Sequence, residues 1–367
     1  MRTLAVAAAL SVAVHTARPA HAQQDTAARG RTGHPTWQLN LRAGETGLSF
    51  GNSTRHNGLR LNLKDYALER INGANVTLWV PGKEVGGTVN GLAVGLVYPE
   101  AGRLNGIALG PGIVAEDRLA GIGLGILGTV SGGDVYGISL SGLATVAARD
   151  VAGLHAGGLA VVAGGDASGL TVGGLAVVAS RSAHGITIGG LAAVGGTSLR
   201  GLNIGGLAAV GTEDVRGLSL AGLAVVSGAE AQGVQVAGLA AVAGGTIRWV
   251  SVAGLGVVGG NSVQGLAATL GGVGAGEDIT GLAVAGFRVK APRTVGATLA
   301  VGYTQSDAHT GFATAIYNET RGPFRGLAIG LVNNARELHG VQVGIINIAR
   351  NNRGLAKVLP LVNLHFE

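Results

Sequence analysis

Between Gly137 and Thr280, apolar and polar positions recur every sixteen residues without an insertion. Three consecutive units read GLTVGGLAVVASRSAH from Gly169, GITIGGLAAVGGTSLR from Gly185 and GLNIGGLAAVGTEDVR from Gly201. Counting from the opening glycine, whose place Trp249 takes once, position 2 is Leu, Ile or Val, and position 7 is usually Leu. Position 4 is mostly Val, Ile or Leu, position 10 mostly Val, and positions 5 and 6 are small. Every charged residue of this stretch falls at positions 13 to 16. One edge of each unit is therefore solvated and the remainder is dry.

Sixteen residues is not a whole number of helical turns, and each interior glycine would cost a helix about 1 kcal/mol relative to alanine. Short β segments bounded by glycine-rich corners fit better. Apolar residues on both parities of GLAVV suit strands covered on both faces, as in parallel sheets. A fixed period marks a repeat architecture in which each unit packs only on its neighbours. The pattern thus predicts an all-β chain, a parallel β-solenoid of coils 15–16 residues long with an N-terminal β cap. The alternative is an antiparallel outer-membrane β-barrel, which should alternate short and long loops and carry aromatic girdles. Here the spacers are equal and the only aromatic residue is Trp249. On this reading Leu207 and Leu223, at position 7, lie inside. The polar residues at position 3 (Ser139, His155, Thr171, Thr187, Asn203, Ser219, Gln235, Ser251) form a flat outer row.

The flanking segments differ. Residues 1–22 read as a secretory signal peptide, with Arg2 in the n-region, Leu4 to Val14 as the apolar h-region and Ala20-His21-Ala22 as cleavage site. Residues 23–35 read as a flexible leader, and 36–90, with Trp37, Phe50, Tyr66 and Trp79, as an N-terminal β cap. Repeats spaced by fifteen begin at Gly91, so 91–295 form the repeat body. Residues 296–367 form divergent, basic C-terminal repeats spaced by fifteen and then fourteen, the last starting at Gly354. Zero cysteines exclude disulfides and thiolate metal sites.

Charge changes the picture only towards the C-terminus. The formal net charge of +6 becomes +4 without Arg2 and Arg18, too little for a nucleic-acid footprint. The nine central units hold five Arg against seven Asp/Glu, a net of −2, whereas nine Lys/Arg against four acids after Gly281 give +5. Arg321, Arg325, Arg336, Arg350 and Arg353 are accordingly the candidate residues for facing a polyanion, either envelope polysaccharide or a lipid surface. The competing reading is that they only solvate turns.

No motif points to catalysis or to a cofactor. Gly123-Leu-Gly125-Ile-Leu-Gly128 matches the G-x-G-x-x-G pattern, but in a chain with 68 glycines and outside a strand-then-helix setting. His339 and His365 lie near Glu337 and Glu367 without a third group to complete a metal site. Asp150, Asp166, Asp214, Glu230 and Asp278 would stack as a ridge with weak appeal for divalent cations. Val358, Pro360, Val362, Leu364 and Phe366 alternate like a barrel's final strand, the best support for the barrel or pore alternative.

The late units GLAIGLVNNARELH, GVQVGIINIARNNR and GLAKVLPLVNLHFE carry a resemblance. Units of the type Gly-Val-Gln-(Val/Ile)-Gly-Leu-Ile-Asn, ending in Leu-Pro-Leu-Val-Asn, resemble those of bacterial surface-repeat proteins, best over 326–367 and more loosely over 91–325. The resemblance implies an exported envelope protein at the cell surface, outer membrane or periplasm, and carries over no catalytic residue. The expectation is a structural or adhesive role, with no enzyme activity.

Overall fold

The computed structural model describes residues 38–43, 46–82 and 85–366. The signal-peptide and leader segments lie outside the described residues. In the unit that opens at Gly185, the strand Ser182–Gly189 bends at its glycine, where φ is +100°, and the strand Ala192–Gly195 follows. Both strands pair parallel and in register with the next unit: Gly185 with Gly201, Thr187 with Asn203, Val194 with Val210. The corners are bonded along the stack too. Leu207 N–H donates to the Leu191 carbonyl at 2.8 Å, repeating the bond from Leu191 to Leu175 at 2.6 Å.

The same parallel pairing runs from Thr46 to Val343, giving a β-solenoid of about 18 turns. At ~4.8 Å per rung the stack is roughly 90 Å long. Among the described residues, antiparallel pairing is confined to the ends. Gln38–Ala43 pairs with Thr46–Gly51, and Val358–His365 folds back on Val332–Ala349. The barrel alternative is therefore not what these strands form: the alternating C-terminal segment closes the last coil. Gly354 opens no further coil but lies in the 3-10 turn Gly354–Lys357.

Each bend glycine occupies the left-handed half of backbone space and backs onto the one before it. A Cβ on Gly201 would lie 2.2 Å from the Gly185 carbonyl oxygen, so the row excludes side chains on two counts. Trp249 is the exception, at φ +87°.

Side chains at positions 3, 5, 9, 11 and 15 point inward, and the three residues at each of the three corners do not. The lumen is narrow. Its rows hold mostly Ser, Thr, Gly, Ala and Val, with larger groups at position 15, such as Leu199 and Ile247, and at His155, Asn203 and Gln235 in the position-3 row.

This reverses two sequence expectations. Leu207 and Leu223 are 45% and 44% exposed, while the position-3 row is buried throughout. The cause is the tight corner before position 7. A Cβ on Gly205 would meet the Ala208 carbonyl at 1.9 Å and one on Gly206 would meet the Gly190 carbonyl at 1.8 Å. The chain folds back too closely there for a leucine to turn inward, so the leucine caps the corner from outside.

The lumen changes along the axis. In the first coils Arg60 is fully buried, ion-paired to Asp65, and donates to Asn75 Oδ1 at 2.5 Å and Asn52 Oδ1 at 2.7 Å. The central coils are filled mostly by hydroxyl, alanine and valine side chains, with His155, Asn203 and Gln235 interrupting the hydroxyl row. In the last coils an amide ladder takes over: Asn318 Nδ2 donates to Asn333 Oδ1 at 2.7 Å, and Asn333 Nδ2 to Asn347 Oδ1 at 2.8 Å. A buried polar group costs little when its hydrogen bonds are met, and a ladder meets them once per coil.

Candidate functional site

Arg321, Arg336 and Arg350 are separated by fifteen and fourteen residues, each the local coil length. Thr320 pairs with Ala335, and the Arg350 N–H donates to the Ala335 carbonyl at 3.1 Å, so the three arginines follow equivalent places on successive coils, with a register shift at Arg321–Gly322 opposite Arg336. All three are exposed and line an open groove of about 660 Å³ with Glu319, Thr320, Asn334, Glu337 and Asn351. Arg321 Nε lies 3.8 Å from Glu319 Oε1, and Glu319 is also held by Gln305 Nε2 at 3.0 Å. Three guanidinium groups against two carboxylates leave the groove one positive charge in excess.

The other two candidates lie elsewhere. Arg325 is in register with Thr310 and His339, on the far side of the buried Phe324. Arg353 belongs to the closing turn and lines a neighbouring groove with Asn351, Asn352, His365 and Phe366. The fold thus brings together three of the five arginines, and the fifteen- and fourteen-residue spacings were the signal for which three.

The chain matches no family model, no curated protein and no solved structure.

The remaining candidates resolve into structural contacts. The acidic ridge, apart from Asp278, is met by arginines from its own coil or from one or two coils away. Arg149 reaches Asp134 at 2.9 Å, Arg181 reaches Asp150 at 2.6 Å and Asp166 at 3.2 Å, Arg216 reaches Asp214 at 2.9 Å, and Arg248 reaches Glu230 at 3.5 Å. Asp150 also accepts the Asp166 N–H at 2.8 Å, one coil on. Burial alone would raise the Asp134 pKa, but hydrogen bonds from Arg149 and the Asp150 N–H hold it below the ordinary range. Among the described residues no group of three His, Asp or Glu is placed to hold a metal. The His339 and His365 rings meet edge-on at 6.2 Å, with His365 Nδ1 2.6 Å from Asn352 Oδ1. Gly123 to Gly128 lie within the strand Glu100–Ser131, not between a strand and a helix.

Some position-3 residues hydrogen-bond inside the lumen, whereas both His155 ring nitrogens, Asn203 Oδ1 and Gln235 Nε2 are buried without a partner. Ser139 and Thr145 hydroxyls are 3.0 Å apart, and Ser251 donates to Gln235 Oε1 at 2.9 Å. Burial pushes the His155 pKa down. The buried Arg60–Asp65 pair was missed in the sequence. Its signal was the place of Arg60, at position 3 counting the bend glycine Gly58 as 1, in the polar inward row.

Proposed function

We propose that the chain is an exported bacterial cell-envelope repeat protein with a structural or adhesive role and no catalysis. On this reading the Arg321, Arg336 and Arg350 column is its contact with anionic envelope polysaccharide or lipid headgroups. The observation that carries the reading is the arginine column itself, displayed near one end of a rod roughly 90 Å long. Stacked like charges repel, and an extended anion laid along the column relieves that repulsion at every rung. The export reading draws its support from residues 1–22 and from the resemblance of the late units to surface-repeat proteins.

Binding to lipopolysaccharide and to an acidic polysaccharide, measured at low and high salt, tests it. Wild-type protein should bind, more weakly as salt screens charges beyond about 8–10 Å. Replacing Arg321, Arg336 and Arg350 by Gln should abolish binding, and Arg325→Gln should leave it largely intact. Absence of binding at low salt, or equal binding by the triple variant, would return these arginines to the role of solvating turns.

A further inference from the structure

Outward-facing side chains are divided unevenly around each coil. In the nine units from Gly137 to Thr280, positions 1 to 12 carry no charged residue, and the outward rows at positions 2, 4, 7 and 10 are Leu, Ile and Val except at Ala156, Ala268, Gly271 and Gly274. The position-7 leucines from Leu143 to Leu255 are 43 to 64% exposed. The apolar apex continues past them through Leu270, Phe287, Val301, Ile316, Leu331 and Ile345, all between 49 and 81% exposed. Two sides of the solenoid and the corner between them are therefore apolar, and the third side carries the ion pairs.

We infer that this apolar surface is the interface between two copies of the chain. Its size is right for that. Nine rungs at ~4.8 Å by about six residues at ~3.3 Å make a face of roughly 850 Å². A standard interface buries about 800 Å² per partner, whereas the largest apolar patch on a typical monomer is about 300–600 Å². Its relief is self-complementary. The leucine row is a ridge, and the mostly Gly and Ala residues at the outward positions 6 and 8 form the groove beside it. Both repeat with the rung spacing, so a copy related by a two-fold axis presents the same ridge to the same groove. Dry, interdigitated rows of this kind are how stacked sheets exclude water.

The polar side argues against a lipid surface as the occupant. A helix or sheet lying in a bilayer interface is flanked by Trp, Tyr, Lys and Arg anchors. These nine units hold one aromatic residue, Trp249, and no lysine. Arg149, Arg181, Arg216 and Arg248 are each within 4 Å of a carboxylate. A second copy needs no such anchors.

Sedimentation equilibrium of the purified protein at micromolar concentration tests the inference. Wild type should sediment as a dimer, and Leu191→Arg/Leu207→Arg/Leu223→Arg as a folded monomer by circular dichroism. Arg200→Gln/Arg216→Gln, on the charged side, should leave the mass unchanged. Should the arginine triple fail to fold, the same three leucines changed to Ser should weaken dimerisation at least tenfold. A monomeric wild type, or a dimer that the serine triple does not weaken, overturns the inference. Flotation of monomeric wild type with phosphatidylcholine vesicles would overturn it in favour of lipid.

Discussion

The inner column at position 15 and the outer ridge at position 7 are built from the same kind of side chain and do opposite work. Leu199 is fully buried, packed in the column between Ala183 and Val215, whereas Leu207, eight residues on, is 45% exposed on a corner. Residue type does not distinguish these two leucines. What does is the backbone between them: a flat strand segment places Leu199 towards the axis, and a turn closed by two glycines places Leu207 away from it. In a narrow solenoid the lumen selects for small size before it selects for apolarity. Large apolar residues then collect where there is room, which is outside.

The sharpest way to break this comparison is to exchange the two rows. Deleting Gly201–Ala208 moves each later residue by half a coil, so Leu223 falls on the column and Val215 on the ridge. Every bend glycine after the deletion is misplaced as well, and the chain should lose its cooperative unfolding transition and aggregate. Deleting Gly201–Arg216 removes one whole coil and keeps each row on itself. That protein should remain folded with a modest loss of stability. Urea unfolding followed by circular dichroism separates the two, and equal damage from both deletions would contradict the stacked-row geometry.

A smaller effect sharpens the column alone. In the C-terminal coils the column continues through Thr294, His309 and Phe324. His309 is buried, stacked on Phe324 with ring centroids 5.0 Å apart, and burial lowers its pKa to about 4, opposed by a hydrogen bond at the Phe312 backbone. The folded pKa lies below the unfolded value near 6.5, so the unfolded chain takes up the proton first. The stability tied to a neutral His309 is complete above about pH 6.5 and is lost as pH falls towards 4. His309→Leu should flatten the stability profile in that window relative to wild type, by an amount on the order of 3 kcal/mol at its acid end. Matching profiles for the two proteins would remove His309 from the buried column.

The smallest effect belongs to the bend row. Trp249 holds φ +87° where the neighbouring units have glycine, a conformation that costs a non-glycine residue about 1–2 kcal/mol. Its side chain is 62% exposed and recovers little of that cost. Trp249→Gly should raise stability by up to about 1 kcal/mol in thermal unfolding, after glycine's larger unfolded-state entropy is counted. A clear loss of stability would assign Trp249 a packing role on the outer surface.

The sequence made the period, the parallel stacking and the charged edge legible, because each depends only on which residue recurs where. Equivalent positions must stack if identical units are to pack alike, and charge at positions 13 to 16 marks a corner in any arrangement. Which face turns inward was not legible. Inward rows occupy odd positions and the strand rows at 2, 4 and 10 even ones, so the alternation was present, but the usual rule placed the larger apolar set inside. Ser139, Thr171 and Thr187 then read as solvent-facing when they are buried within the lumen. Of the five candidate arginines, the stacking of Arg321, Arg336 and Arg350 was encoded in their spacing. Arg353 depended on the closing turn at Gly354–Lys357, which follows from the chain folding back and not from the repeat.

The most direct test of inside and outside is a pair of single changes, Leu199→Asp and Leu207→Asp, compared by urea unfolding. Leu199→Asp places an unpaired charge in a dry, narrow column and should cost more than about 4 kcal/mol, enough to abolish the folded baseline. Leu207→Asp places the same charge on an exposed corner and should leave a cooperative transition and the β-sheet circular dichroism of the wild type. Loss of the transition in Leu207→Asp with its retention in Leu199→Asp, or equal behaviour of the two, would contradict the assignment of the column to the inside and the ridge to the outside.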